Sequence, residues 1–83
     1  MDVVIKFNKS AFKHGISEAD IRHAYRNKIA DRLVNELPEK YALVGFDENW
    51  NPVEIMYNPV DDCTINVFHA MKARDSFIKE LGL

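Results

Sequence analysis

Apolar and polar residues change period several times along this 83-residue chain. "VVIKF", residues 3–7, sets Val3, Ile5 and Phe7 against Val4 and Lys6 and predicts a short strand. In "NKSAFKHG", Asn8 is placed to cap a short helix, and Gly15 suits the left-handed residue just past its end. "ISEADIRHAYRNKI" then brings Ile21, Ala24, Tyr25 and Ile29 to helical spacing. Ser17 is its N-cap, with Asp20 three residues on, and Ile16 precedes the cap as a staple for Ile21. Glu18 stands four residues before Arg22, and acids early with bases late suit the helix dipole.

Residues 29–37, "IADRLVNEL", fit either a continued helix or a strand beginning near Arg32, and Pro38 ends whichever forms. Three strands follow in "YALVGF", "VEIMY" and "CTINVFHA", joined by the turns "DENWNP" and "NPVDD". In the last strand Thr64 and Asn66 face water while Ile65 and Val67 face the core, and His69 shares the parity of Ile65 and Val67. Ala73, Phe77, Ile78 and Leu81 return to helical spacing near the C-terminus. The expected fold is a single α+β domain over residues 1–83: an N-terminal strand, two helices, a three-stranded antiparallel meander across 41–69 and a short C-terminal helix.

Composition bounds the function. Hydrophobic residues at 47% and charged residues at 29% describe a globular protein. No apolar run reaches the length of a membrane span, and "MDVVIKFNKS" is too short and polar for a signal peptide, so a cytoplasmic protein is expected. Cys63 alone makes neither an internal disulfide nor a zinc site. The net charge of −2 is unevenly spread: the first thirty residues carry six Lys or Arg against three acids, and residues 31–62 carry two against eight. A chain that binds RNA with this balance does so through a local basic patch.

Two motifs carry a resemblance. The first is "IKFNKSAFKHGIS", a strand and short helix ending in "KHG" before a second helix. The second is the meander "YALVGFDENWNPVEIMYNP", which runs on to "INVFHAMKAR" and a last helix. In this order and at this length they resemble the BrnT group of bacterial type II toxin–antitoxin toxins, with a RelE-like fold. The resemblance implies an mRNA endoribonuclease with no cofactor, neutralised by a cognate antitoxin protein. Those toxins carry an arginine-rich C-terminal helix, whereas "KARDSFIKELGL" has few bases. A non-catalytic protein-binding module on the same scaffold, a degenerate toxin, is therefore the alternative.

Cleaving RNA without a metal requires a base for the 2′-hydroxyl, cations for the phosphate charge and an acid for the leaving oxygen. His69, Lys72 and Arg74 are the catalytic candidates: an imidazole that exchanges protons near neutral pH beside cations that hold phosphate. The competing reading is a histidine at the core's edge with two solvated cations. Lys13 and His14 are candidates for RNA binding, since BrnT-like proteins carry the same pair; the competing role for His14 is to cap helical carbonyls. Arg22 and Arg26, one turn apart, face RNA, an acidic antitoxin or simply water. Trp50 sits in a turn, where an exposed indole marks a contact surface; the competing reading is an indole folded back on the sheet. The loop acids Glu36, Glu39, Asp47, Glu48, Asp61 and Asp62 lack the spacing of a calcium loop, and no metal site is assigned.

Overall fold

The computed structural model describes residues 3–83. In chain order it contains β1 (Val4–Phe7), a 3-10 turn (Lys9–Phe12), α1 (Glu18–Arg26), β2 (Lys28–Glu36), β3 (Glu39–Phe46), β4 (Pro52–Asp61), β5 (Thr64–Lys72) and α2 (Asp75–Glu80). The strands form one sheet in the order β1-β5-β4-β3-β2. β1 runs parallel to β5, and every other neighbouring pair is antiparallel.

This overturns the expected arrangement of two helices and a three-stranded meander. The described residues are mostly sheet, five strands deep and mixed in direction, with two α-helices. Residues 28–36, left between helix and strand by their pattern, form β2 and pair along β3 from Lys28↔Gly45 to Glu36↔Glu39. Eight of its nine residues are exposed, so no face is buried to impose a period. The first expected helix is one 3-10 turn, and Asn8 makes no side-chain cap there.

α1 forms where its caps predict. The Asp20 amide donates to Ser17 Oγ at 3.1 Å, and Gly15 adopts φ +81° just before it. Ile21 and Ala24 are fully buried against Leu43, Val53, Ile55, Val67 and Ala70. The helix lies so close to β3 that a Cβ on Gly45 would run into the Ala24 carbonyl. On the opposite face of the sheet, Phe77 of the six-residue α2 and Leu81 just past its end cover Ala42 and Val44.

One irregularity sets the orientation of the site. The β4–β5 register shifts between Met56↔His69 and Tyr57↔Val67, which leaves Phe68 as an extra residue. Val67 and Ala70 both belong to the α1-side core. With Phe68 inserted, His69 turns to the α2 side with its partner Met56, which packs in the α2-side cluster. The expected shared parity of Val67 and His69 fails for this reason: one added residue reverses the face of everything beyond it.

Candidate functional site

The site is built around Glu54, the charged residue in the otherwise apolar "VEIMY" of β4. Its side chain is fully buried on the α2 side, opposite Val44. A carboxylate stripped of water is stable only if its oxygens are bonded, and here every bond comes from β5 or the segment after it. The Arg74 backbone amide and Nε donate to Oε1 at 3.1 and 3.0 Å. Arg74 Nη2 and His69 Nε2 both reach Oε2 at 2.8 Å. Burial pushes the Glu54 carboxyl up, but the bonds from Arg74 and His69 together outweigh it, and its pKa is held below the usual glutamate value. In return Glu54 raises the pKa of Arg74.

This arrangement fixes the tautomer of His69. An ionised carboxylate only accepts, so Nε2 carries a proton and Nδ1 holds the lone pair in the neutral ring. The imidazole retains 22% side-chain exposure, enough to meet a ligand from solvent. The exposed His14 ring packs edge-on against it, with centroids 5.6 Å apart. His14 arrives there because β1 pairs with β5 only as far as Phe7↔Val67. Beyond that point the edge of β5 is open, and Ser10 Oγ of the 3-10 turn donates to the Phe68 carbonyl at 2.6 Å. The "KHG" segment is thereby laid alongside His69.

The remaining candidates separate. Lys72 pairs with Val53, an α1-side core residue, so it points to the face opposite His69. Lys13 adjoins His14 and is exposed. Arg22 bonds Glu18 at 3.1 Å and lies over the Phe7 ring. Arg26 donates from Nε to the Arg22 carbonyl at 3.4 Å and has no carboxylate partner among the described residues. α1 thus carries its arginines away from the His14–His69 pair, on the other side of the sheet. Sequence reasoning passed over Glu54. The signal was a single charge inside an apolar strand, which in a folded chain implies a buried, bonded carboxylate.

A second polar cluster lies on the α1 side. Tyr57 donates from its hydroxyl to both Asp31 oxygens at 2.8 Å. It stacks on Tyr41 and meets Tyr25 edge-on. Lys28 Nζ sits 3.8 Å above the Tyr25 ring and 3.4 Å from Asp31. Burial first and Asp31 second raise the Tyr57 pKa, so its hydroxyl stays a donor. The cluster pins β2 to the sheet and the end of α1.

Among the described residues no group of three or more His, Cys, Asp or Glu is placed to hold a metal ion, and no helix is long and apolar enough to cross a membrane. No protein-family model matches the chain, and no curated protein or solved structure is significantly similar to it.

Proposed function

We propose that the protein is a metal-independent endoribonuclease, the toxin of a type II toxin–antitoxin pair, with His69 and His14 as its acid–base couple. The observation that carries the reading is a solvent-reachable imidazole aligned by a buried carboxylate, with a second imidazole against its edge. Glu54 orients His69 through its 2.8 Å bond to Nε2 and faces the positive charge that develops on the ring during proton transfer. His69 Nδ1 takes the proton of the ribose 2′-hydroxyl. The 2′-oxygen attacks phosphorus and the P–O5′ bond breaks, leaving a 2′,3′-cyclic phosphate. His14, protonated, gives its proton to O5′. Arg74 uses Nε and Nη2 on Glu54, and its side chain remains 56% exposed, so Nη1 is available to a nonbridging oxygen together with Lys13.

The test is cleavage of single-stranded RNA by purified protein in the presence of a chelator. The expected products end in 2′,3′-cyclic phosphate. His69→Ala and His14→Ala should each slow cleavage on the order of 100-fold while circular dichroism stays unchanged. In a bacterial host, expression of the wild type should arrest growth and the variants should not. Intact RNA after long incubation, with growth unaffected, would sink the reading.

One observation favours the alternative, a non-catalytic module that binds a partner protein such as an antitoxin. β2 is an edge strand, paired with β3 on one side only, with Ile29, Leu33 and Val34 about half exposed, and Leu37 beyond it is 93% exposed. Long apolar edges invite strand addition by another chain. A groove of about 410 Å³ opens beside it, lined in part by Arg32, Val34, Met56, Arg74 and Phe77. A partner seated there would touch Arg74 and reach the site through it. Partner binding lost on Leu33→Lys, with RNA left intact by the free protein, would favour this reading over the first.

A further inference from the structure

The turn between β3 and β4 is built to hold a tryptophan in a conformation that tryptophan disfavours. Trp50 has φ +61°, the only non-glycine residue in the left-handed region among those described. That region suits glycine or asparagine, and asparagines stand on both sides, at 49 and 51. The turn is nevertheless tightly specified. Asp47 Oδ1 accepts from the amides of Asn49 and Asn51 at 2.9 and 2.8 Å. The Trp50 amide donates to the Asp47 carbonyl at 2.9 Å, and the Glu48 amide donates to Asp20 Oδ1 at 3.0 Å. The indole tilts against the Phe46 ring, with centroids 6.0 Å apart, yet remains 63% exposed, so packing accounts for only part of it. The His23 imidazole stands edge-on to it at 5.2 Å, held by a 2.7 Å hydrogen bond from Nδ1 to the Phe46 carbonyl.

We infer that Trp50 is a stacking platform for an unpaired nucleobase, a subsite for single-stranded RNA; the inference rests on the RNA-cleavage reading above. Position supports it. The Ala73 amide donates to the Pro52 carbonyl at 3.0 Å, which joins this turn to the segment where Arg74 leaves β5. Lys72 lies between, on the α1 side, roughly 10 Å along β5 from His69 at the usual strand rise. An RNA strand crossing the end of the sheet would meet His14 and His69, then Lys72, then the indole, with Arg26 one helical turn beyond His23. The Glu48 carboxylate on the same turn opposes phosphate, so the platform holds RNA chiefly through the base face.

Trp50 is the one tryptophan in the chain and reports on itself. In a His69→Ala background, a twelve-nucleotide single-stranded RNA should quench its fluorescence saturably, whereas duplex RNA and heparin should not. By anisotropy of labelled RNA, Trp50→Phe should bind within about threefold of the parent, and Trp50→Gly should bind about tenfold more weakly. Trp50→Gly should at the same time hold or raise the thermal midpoint, because glycine relieves the backbone. A lower midpoint with unchanged RNA affinity would make Trp50 a structural residue and overturn the inference. So would equal quenching by heparin, or none by RNA. The two proposals fail separately. Quenching by RNA that the wild type never cleaves removes the nuclease and keeps the subsite; cleavage without quenching does the reverse.

Discussion

The two faces of the sheet solve the same packing problem with different materials. On the α1 side, nine helical residues bring Ile21 and Ala24 onto a continuous apolar surface, and the helix comes close enough that β3 must carry glycine at position 45. On the α2 side, six helical residues cover a smaller patch, and the remaining space holds a fully buried carboxylate with an arginine and a histidine on it. The first face derives its stability from area and shape. The second depends on a charge network in which Arg74 supplies most of the bonds to the buried carboxylate. Chemistry that requires an oriented imidazole belongs on the second face, where a side chain can be fixed yet still reach solvent.

The widest separation between the faces should come from removing one partner of Glu54. Arg74→Ala removes the two side-chain donors, Nε and Nη2, from the buried carboxylate and should destabilise by about 3 kcal/mol at pH 7 in urea denaturation. A loss below about 0.5 kcal/mol, typical of a surface arginine, would show that the α2 side does not depend on the pair. On the α1 side the corresponding probe is shape. Gly45→Ala forces a methyl into the Ala24 carbonyl and should cost about 2 kcal/mol, with no change in the stability profile against pH.

That profile sharpens the contrast. The Glu54 pKa is lowered in the folded chain, so the unfolded chain binds the proton more readily. The network's contribution is therefore present above the ordinary glutamate value of 4.5 and is lost as pH falls through the lower folded value. Thermal midpoints measured downward from pH 7 should fall in this range, and Glu54→Gln should flatten the fall. An unchanged slope in that variant would assign acid sensitivity to other carboxylates, of which Asp61, lowered by its bonds to Cys63 and Thr64, is the first to examine.

The same division explains what could be seen in the sequence. α1 was legible because local signals agree: Ser17 at the cap, Ile21 and Ala24 at helical spacing, Glu18 ahead of Arg22. β2 was not, because its exposed side chains carry no period and it is a strand only by virtue of pairing with β3. The parallel pairing of β1 with β5 joins residues some sixty positions apart and leaves no local mark. At the candidate site, His14, His69 and Arg74 were legible by residue type. Their orientation was not, because it follows from one extra residue at Phe68 and from Glu54 beneath them.

The smallest expected effect tests a glycine of the other kind. Gly15 precedes α1 at φ +81°, and a Cβ built there meets nothing within 4 Å. Gly45 is required by its neighbour; Gly15 is required by its own backbone. Gly15→Ala should therefore cost about 1 kcal/mol, from the left-handed conformation alone, and Gly15→Asn should recover part of it, since asparagine tolerates that region. Neither substitution should disturb the α1 core, so denaturant m-values should match the parent. The segment also carries His14, which makes the pair of variants informative about the site. If Gly15→Ala shifts the segment that lays His14 against His69, the cleavage proposed above should fall by more than stability does, and Gly15→Asn should restore both together. Equal loss in Ala and Asn variants would mean that something other than positive φ holds this junction.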